Sequence, residues 1–226
     1  MVTRRLGAKT TMMDEQSARP RTVGATPSRR GLRRHRSERG AVMVEAAIVL
    51  PLMIFIVVGI MEFGLLFTSY STTTASTRSG ARLAATQYSQ AQVGSTETAS
   101  QTAALAQIAL ATEADLKVLN NAKPVGMAIY KVNPSSTSGA PYGGYPAAGM
   151  SGGCTSSCVK YKWNGTAMVR TGGSWPNPQR CVISSVDSIG VYVQVEHSYI
   201  TGLIGSKRTV EGHTVMRLEP VPSESC

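Results

Sequence analysis

Aromatic bulk is what this chain has least of. Its 226 residues include 3 Phe and 2 Trp, and aromatics make up 6% of the whole. Ala, Ser, Thr and Gly fill much of the length instead, so a large self-sufficient core is not expected. Catalytic groupings are missing as well. His35, His197 and His213 sit in separate segments, and no Walker-type glycine loop, nucleophile elbow or HExxH pair is present. These absences argue against an enzyme and against a cofactor. The four cysteines contain no CxxC and are irregularly spaced, which argues against a zinc cage.

Acidic residues are scarce at one end. Up to Gly40 there are eleven basic residues against three acidic ones, leaving twelve against ten for the rest of the chain. The net charge of +10 therefore belongs largely to the first 40 residues. Without interleaved aromatics to stack on bases, this basic segment is not expected to bind nucleic acid. Its composition of Arg, Ser, Pro and Gly predicts a disordered leader over residues 1–40. Its densest part, "RRGLRRHRSERG", stands directly before an apolar run. Lys and Arg in that position retain the preceding chain on the cytoplasmic side of a membrane.

The apolar run is what the chain does have. "AAIVLPLMIFIVVGIM" carries no charge, and after Glu62 the segment continues to Phe67. A helix over residues 41–68 would extend about 40 Å, more than a hydrocarbon core of about 30 Å. A single transmembrane span is expected there, with Glu45 and Glu62 near its edges and a kink or loosening at Pro51. A cleaved secretory signal fits less well. The run exceeds an ordinary h-region, and Glu62 and Phe63 stand where a small-x-small site would begin.

Glu45 is the residue an ordinary anchor would avoid, since a carboxylate is costly within a span. Gly40, a small residue after it, glutamate five positions on and an apolar run together resemble the class III signal of type IV pilins. More narrowly, the chain resembles the TadE-like pseudopilins of Tad (Flp) pilus systems. Arg39 and Gly40 precede Glu45, and Pro51 lies in the apolar run. Gly59, Glu62, Phe63 and Gly64 form the next group, and Arg78, Gly80, Ala81 and Arg82 complete it. The late pair Arg217 and Glu219 fits the same pattern more loosely. The resemblance implies cleavage by a prepilin peptidase between Gly40 and Ala41. It further implies a role for Glu45 in assembly or processing. Glu62, Gly64, Arg78 and Arg82 are candidates for helix packing, with two alternatives open: Glu62 only ends the span, and Arg78 and Arg82 form a solvated or headgroup-facing pair. The implied partners are the peptidase, other pilins or pseudopilins, the Tad machinery and membrane lipids. The implied location is a single-pass cell-membrane protein, with the N-terminus cytoplasmic and the remainder extracytoplasmic or on a surface pilus. The competing expectation is a signal-anchored extracellular binding domain that enters no pilus.

Beyond the span, residues 69–123 read as extracytoplasmic helices, interrupted near Gly94–Ser100. In the second helix Leu105, Ile108, Ala109, Leu116 and Leu119 share the inward face. Residues 124–180 are rich in Gly, Ser and Pro and read as a loop region. Residues 181–226 alternate like a strand pair, with Val191, Val193 and Val195 on one face and "TGLIGSKR" as the turn. His197 and His213 read as surface positions on these two strands. The expected class is α+β: a long N-terminal transmembrane helix, further helical structure, and a small antiparallel hairpin or sheet at the C-terminus. Cys154, Cys158, Cys181 and Cys226 all fall on the expected outer side, where disulfides form, and three complete pairings remain open.

Overall fold

The computed structural model describes residues 39–181, 185–202 and 204–222. The basic leader up to residue 38, and Cys226, lie outside the described residues. The chain divides into two units, Met1–Ala47 and Ile48–Cys226. In the first, the described residues are helical, and residues 40–47 are exposed.

Helix α1 spans Arg39–Leu83 and contains Pro51. A five-residue π-helical turn, Ala84–Tyr88, follows it. Helix α2 spans Ala99–Leu116, and its start is encoded locally. Thr98 Oγ1 accepts from the Gln101 N–H at 3.2 Å, and Gln101 Oε1 accepts from the Thr98 N–H at 3.1 Å. This reciprocal cap satisfies donors that the first turn otherwise leaves unpaired. The expected inward residues Leu105, Ile108, Ala109 and Leu116 are buried, and Leu119 is partly so.

Five strands come next: β1 (Ala122–Lys131), β2 (Cys158–Trp163), β3 (Met168–Ser174), β4 (Ser188–Ser198) and β5 (Lys207–Arg217). They form one sheet in the order β3-β2-β1-β4-β5, with every neighbour antiparallel. The chain is therefore α+β, as expected, but the sheet is larger than the C-terminal hairpin alone. Val191, Val193 and Val195 point to one face and pack in a core with α2 and the end of α1. Gly80 allows the close approach of α1, because a Cβ there would lie 2.2 Å from Thr112 Oγ1.

The expected loop region 124–180 is corrected by this sheet, because most of β1 and all of β2 and β3 lie within it. Two physical reasons account for the difference. The middle of β1 is buried on both faces, so Met127–Tyr130 shows no polar alternation. Strand β3 contains Gly172 and Gly173 just before its last residue, both at positive φ, and owes its extended form to pairing with β2.

The stretch between β1 and β2 also has a structural task. Ala128, Tyr130 and Tyr192 on the second sheet face form a smaller core with Met150, Cys154 and Cys158. Tyr145 stacks on Tyr192, with ring centroids 5.0 Å apart. A disulfide joins Cys154 to Cys158, whose Cα atoms are 5.8 Å apart. Closing so short a loop should contribute about 2 kcal/mol through the unfolded state. Replacing both cysteines by Ser should lower the denaturant midpoint accordingly. Non-reducing peptide mapping should show the Cys154–Cys158 link directly.

Candidate functional site

Along α1 the environment changes with distance from its start. From Val42 to Met61 every large apolar side chain except the half-buried Val58 is 47–73% exposed. From Glu62 onward one face is covered, and the covered residues are polar: Glu62, Ser69, Thr73, Ser76 and Thr77 are each at most 3% exposed. Burial of "STTTAST" is possible because most of these hydroxyls are satisfied. Ser69 Oγ donates to Leu65 O at 3.1 Å, Thr73 Oγ1 to Ser69 O at 2.7 Å, and Thr77 Oγ1 to Thr74 O at 2.8 Å. Thr77 Oγ1 also lies 2.9 Å from Thr214 Oγ1 on β5, which joins the helix to the edge of the sheet.

Glu62 is the centre of this junction. Its carboxylate accepts from the Thr201 N–H at 2.6 Å, from Thr201 Oγ1 at 2.8 Å and from the Ile200 N–H at 3.2 Å. All three donors belong to the tip of the β4–β5 hairpin. Two backbone N–H groups and a hydroxyl converging on one carboxylate are suited to holding it ionised while shielded from water. Two turns away, His197 Nδ1 lies 2.9 Å from Ser69 Oγ. Burial pushes the His197 imidazole below its ordinary pKa, opposed by the nearby Glu62 charge. This overturns the expected surface position of His197, which is fully buried. His213 is exposed and lies against Tyr145 instead. The register pairs His197 with Arg208 and His213 with Tyr192, so the two histidines do not face each other.

The remaining candidate residues are dispersed. Gly40, Ala41 and Glu45 lie in the opening turns of α1 and are exposed. Gly64 is exposed, and a Cβ there would meet no atom within 4 Å. Arg78 and Arg82 are also exposed, flank a shallow recess with Ala75, Leu83 and Ala111, and make no ion pair among the described residues. Cys181 is disulfide-bonded. Sequence reasoning does not single out Ser69, Ile200 or Thr201. Their partners are more than 120 residues away, so no local pattern marks them.

A second polar junction holds α2 to the sheet. Arg170 of β3 pairs with Glu97 beside the start of α2, and its Nη2 donates to Glu97 Oε2 at 2.6 Å. The Arg170 guanidinium holds the Glu97 carboxyl below its ordinary pKa. A depressed folded-state value means the pair stabilises the fold above the unfolded carboxylate range. That contribution disappears as pH falls through the folded value. A Glu97→Gln variant should thus show a shallower loss of melting temperature on acidification than the unmodified chain.

No group of three or more His, Cys, Asp or Glu among the described residues could hold a metal ion. One helix among them, Gly40–Tyr88, is long and apolar enough to cross a membrane. The architecture is therefore that of a long apolar helix, fitting a single-pass membrane anchor, carrying an α+β domain. Residues 40–82 match the model of the family described as TadE-like protein. No curated protein and no solved structure matches the chain. The similarity to TadE-like proteins thus lies within helix α1, and the domain beyond it is not part of the match.

Proposed function

We propose that this chain is a minor pseudopilin, acting as a structural component or assembly factor of a Tad/Flp pilus. A prepilin peptidase cuts the precursor between Gly40 and Ala41 on the cytoplasmic face, so the apolar helix remains attached to the outer domain. The cut creates an ammonium at Ala41, four residues before Glu45. Both charges are costly in an apolar assembly, and staggered neighbouring helices let one subunit's carboxylate neutralise the next subunit's amine. The remaining partners are other pilins or pseudopilins and the Tad machinery, with lipid surrounding the helix before assembly.

The observation that carries this reading is the family match starting at Gly40, on a helix whose apolar side chains from Val42 to Met61 have almost no covering within the chain. Such a surface requires apolar surroundings, which lipid supplies first and packed helices supply afterwards. The test is the N-terminal sequence and intact mass of the membrane-extracted protein from cells with an active prepilin peptidase. A chain starting at Ala41 supports the proposal. A chain retaining its leader overturns it.

A further inference from the structure

We infer that the tip of the β4–β5 hairpin is a second membrane-docking element, seated in the headgroup region of an anionic phospholipid bilayer beside α1. The inference rests on α1 spanning the membrane and concerns how the outer domain meets the lipid surface.

Three independent observations lead to it. The first is height along the helix. Glu62 holds the hairpin tip through Ile200 and Thr201, yet the apolar run continues past Glu62 to Phe67. Those five residues correspond to about 7–8 Å of helix. The tip is thus held below the end of the apolar segment, at a depth comparable with the roughly 5–10 Å to which interfacial elements sink into a bilayer. The second is the character of the tip. Ile200 is 65% exposed and Ile204 is 51% exposed, although both occupy a turn otherwise made of Gly, Thr and Ser at its described positions. The third is the positive charge next to the tip. Lys207 and Arg208 open β5, and both are exposed.

Arg208 also borders a groove of about 600 Å³ with Phe63, Leu66, Phe67 and Tyr70 of α1. Lys207 has a carboxylate partner in Glu196, at 2.6 Å, whereas Arg208 has no ion pair among the described residues. Glu211, which shares the groove, lies 3.2 Å from Gln194 Nε2 and accepts from it. Apolar and aromatic side chains lining one groove with a guanidinium that has no ion pair among the described residues match the chemistry of a phospholipid. Chain carbons meet Ile204 and Phe67, and the phosphate meets Arg208. A neighbouring apolar helix would fill the groove but leave the Arg208 charge facing hydrocarbon. The Glu62 contact is then the latch that allows a carboxylate at this depth, because the hairpin supplies the donors that lipid cannot.

The test uses the full chain, one copy per nanodisc of mixed phosphatidylcholine and phosphatidylglycerol, with the native disulfides left oxidised. An environment-sensitive fluorophore is attached through Ile204→Cys, and spin-labelled lipids act as quenchers. Phe55→Cys in α1 and Thr166→Cys in the exposed β2–β3 turn are the references. The expected result is strong quenching at positions 204 and 55 and none at 166. Adding Arg208→Glu should reduce quenching at 204 while leaving 55 unchanged. Quenching at 55 without quenching at 204 overturns the inference and leaves the membrane-spanning helix standing. An unquenched 55 would show instead that α1 does not span, and this inference would fall with it. A position 204 that stays unquenched in single-copy discs and moves to an apolar environment only with two chains per disc would mean that a second copy covers the tip, which also overturns it.

Discussion

A Gly40→Ser variant is expected to retain its leader completely, migrating and weighing more than the unmodified protein by residues 1–40. In the proposed reading the peptidase cuts directly after Gly40, where the absence of a side chain lets the backbone approach the catalytic groups. A hydroxymethyl at that point obstructs the approach while the apolar helix still inserts. The uncut chain should therefore be present in the membrane fraction at normal abundance. A Glu45→Gln companion separates cutting from assembly. It should be processed at Gly40, yet it should fail to enter or support the pilus, because an amide cannot neutralise the ammonium of a neighbouring Ala41. If Gly40→Ser were trimmed as efficiently as the unmodified chain, the pilin-type signal would be the wrong account. Glu45 would then be an ordinary edge residue of an anchor.

Replacement of Glu62 by Leu should release the β4–β5 hairpin tip from α1. The carboxylate receives three hydrogen bonds from the hairpin tip, at 2.6, 2.8 and 3.2 Å. Hydrogen bonds to a charged group are stronger than those between neutral groups, and leucine can accept none of the three, so the tip should lose its attachment to α1. The loss should be local. In hydrogen-exchange measurements on the full chain, the Ile200 and Thr201 amides should lose protection, while Val191 and Val193 on the inner strand β4 keep theirs. Glu62→Gln should fall between, because its carbonyl still accepts but the charge is gone. Unchanged exchange at both tip amides in Glu62→Leu would show that the carboxylate is dispensable to the junction.

Gly40 and Glu45 are marked by local spacing and by their place before an apolar run. Glu62 is visible in the sequence as a charge near the end of that run. Its partners Ile200 and Thr201, however, are 138 and 139 residues away, and no pattern around Glu62 indicates them. The same distinction applies to the domain. Helix α2 can be read from the spacing of Leu105, Ile108 and Leu116, and its Thr98–Gln101 cap emerges in the fold. The β4–β5 hairpin can be read from Val191, Val193 and Val195, which recur at every second residue and line one core. Strand β1 cannot, since Met127, Ala128, Ile129 and Tyr130 are buried in succession on opposite faces. The Gly- and Ser-rich stretch before β2 suggests an open loop by composition. In the fold its Tyr145, Met150 and Cys154 cover the second face of the sheet.

Local sequence is thus enough to specify the apolar helix, the charge asymmetry before it, the amphipathic second helix and the final strand pair. Each of these arises from periodicity, composition or caps acting over a few residues. The five-strand sheet and the tyrosine-bearing segment that shields its second face belong to the tertiary structure alone. So do the meetings of Glu62 with Thr201 and of Ser69 with His197. Those features depend on groups brought together from distant parts of the chain, where burial and hydrogen-bond satisfaction, rather than local preference, select the partner.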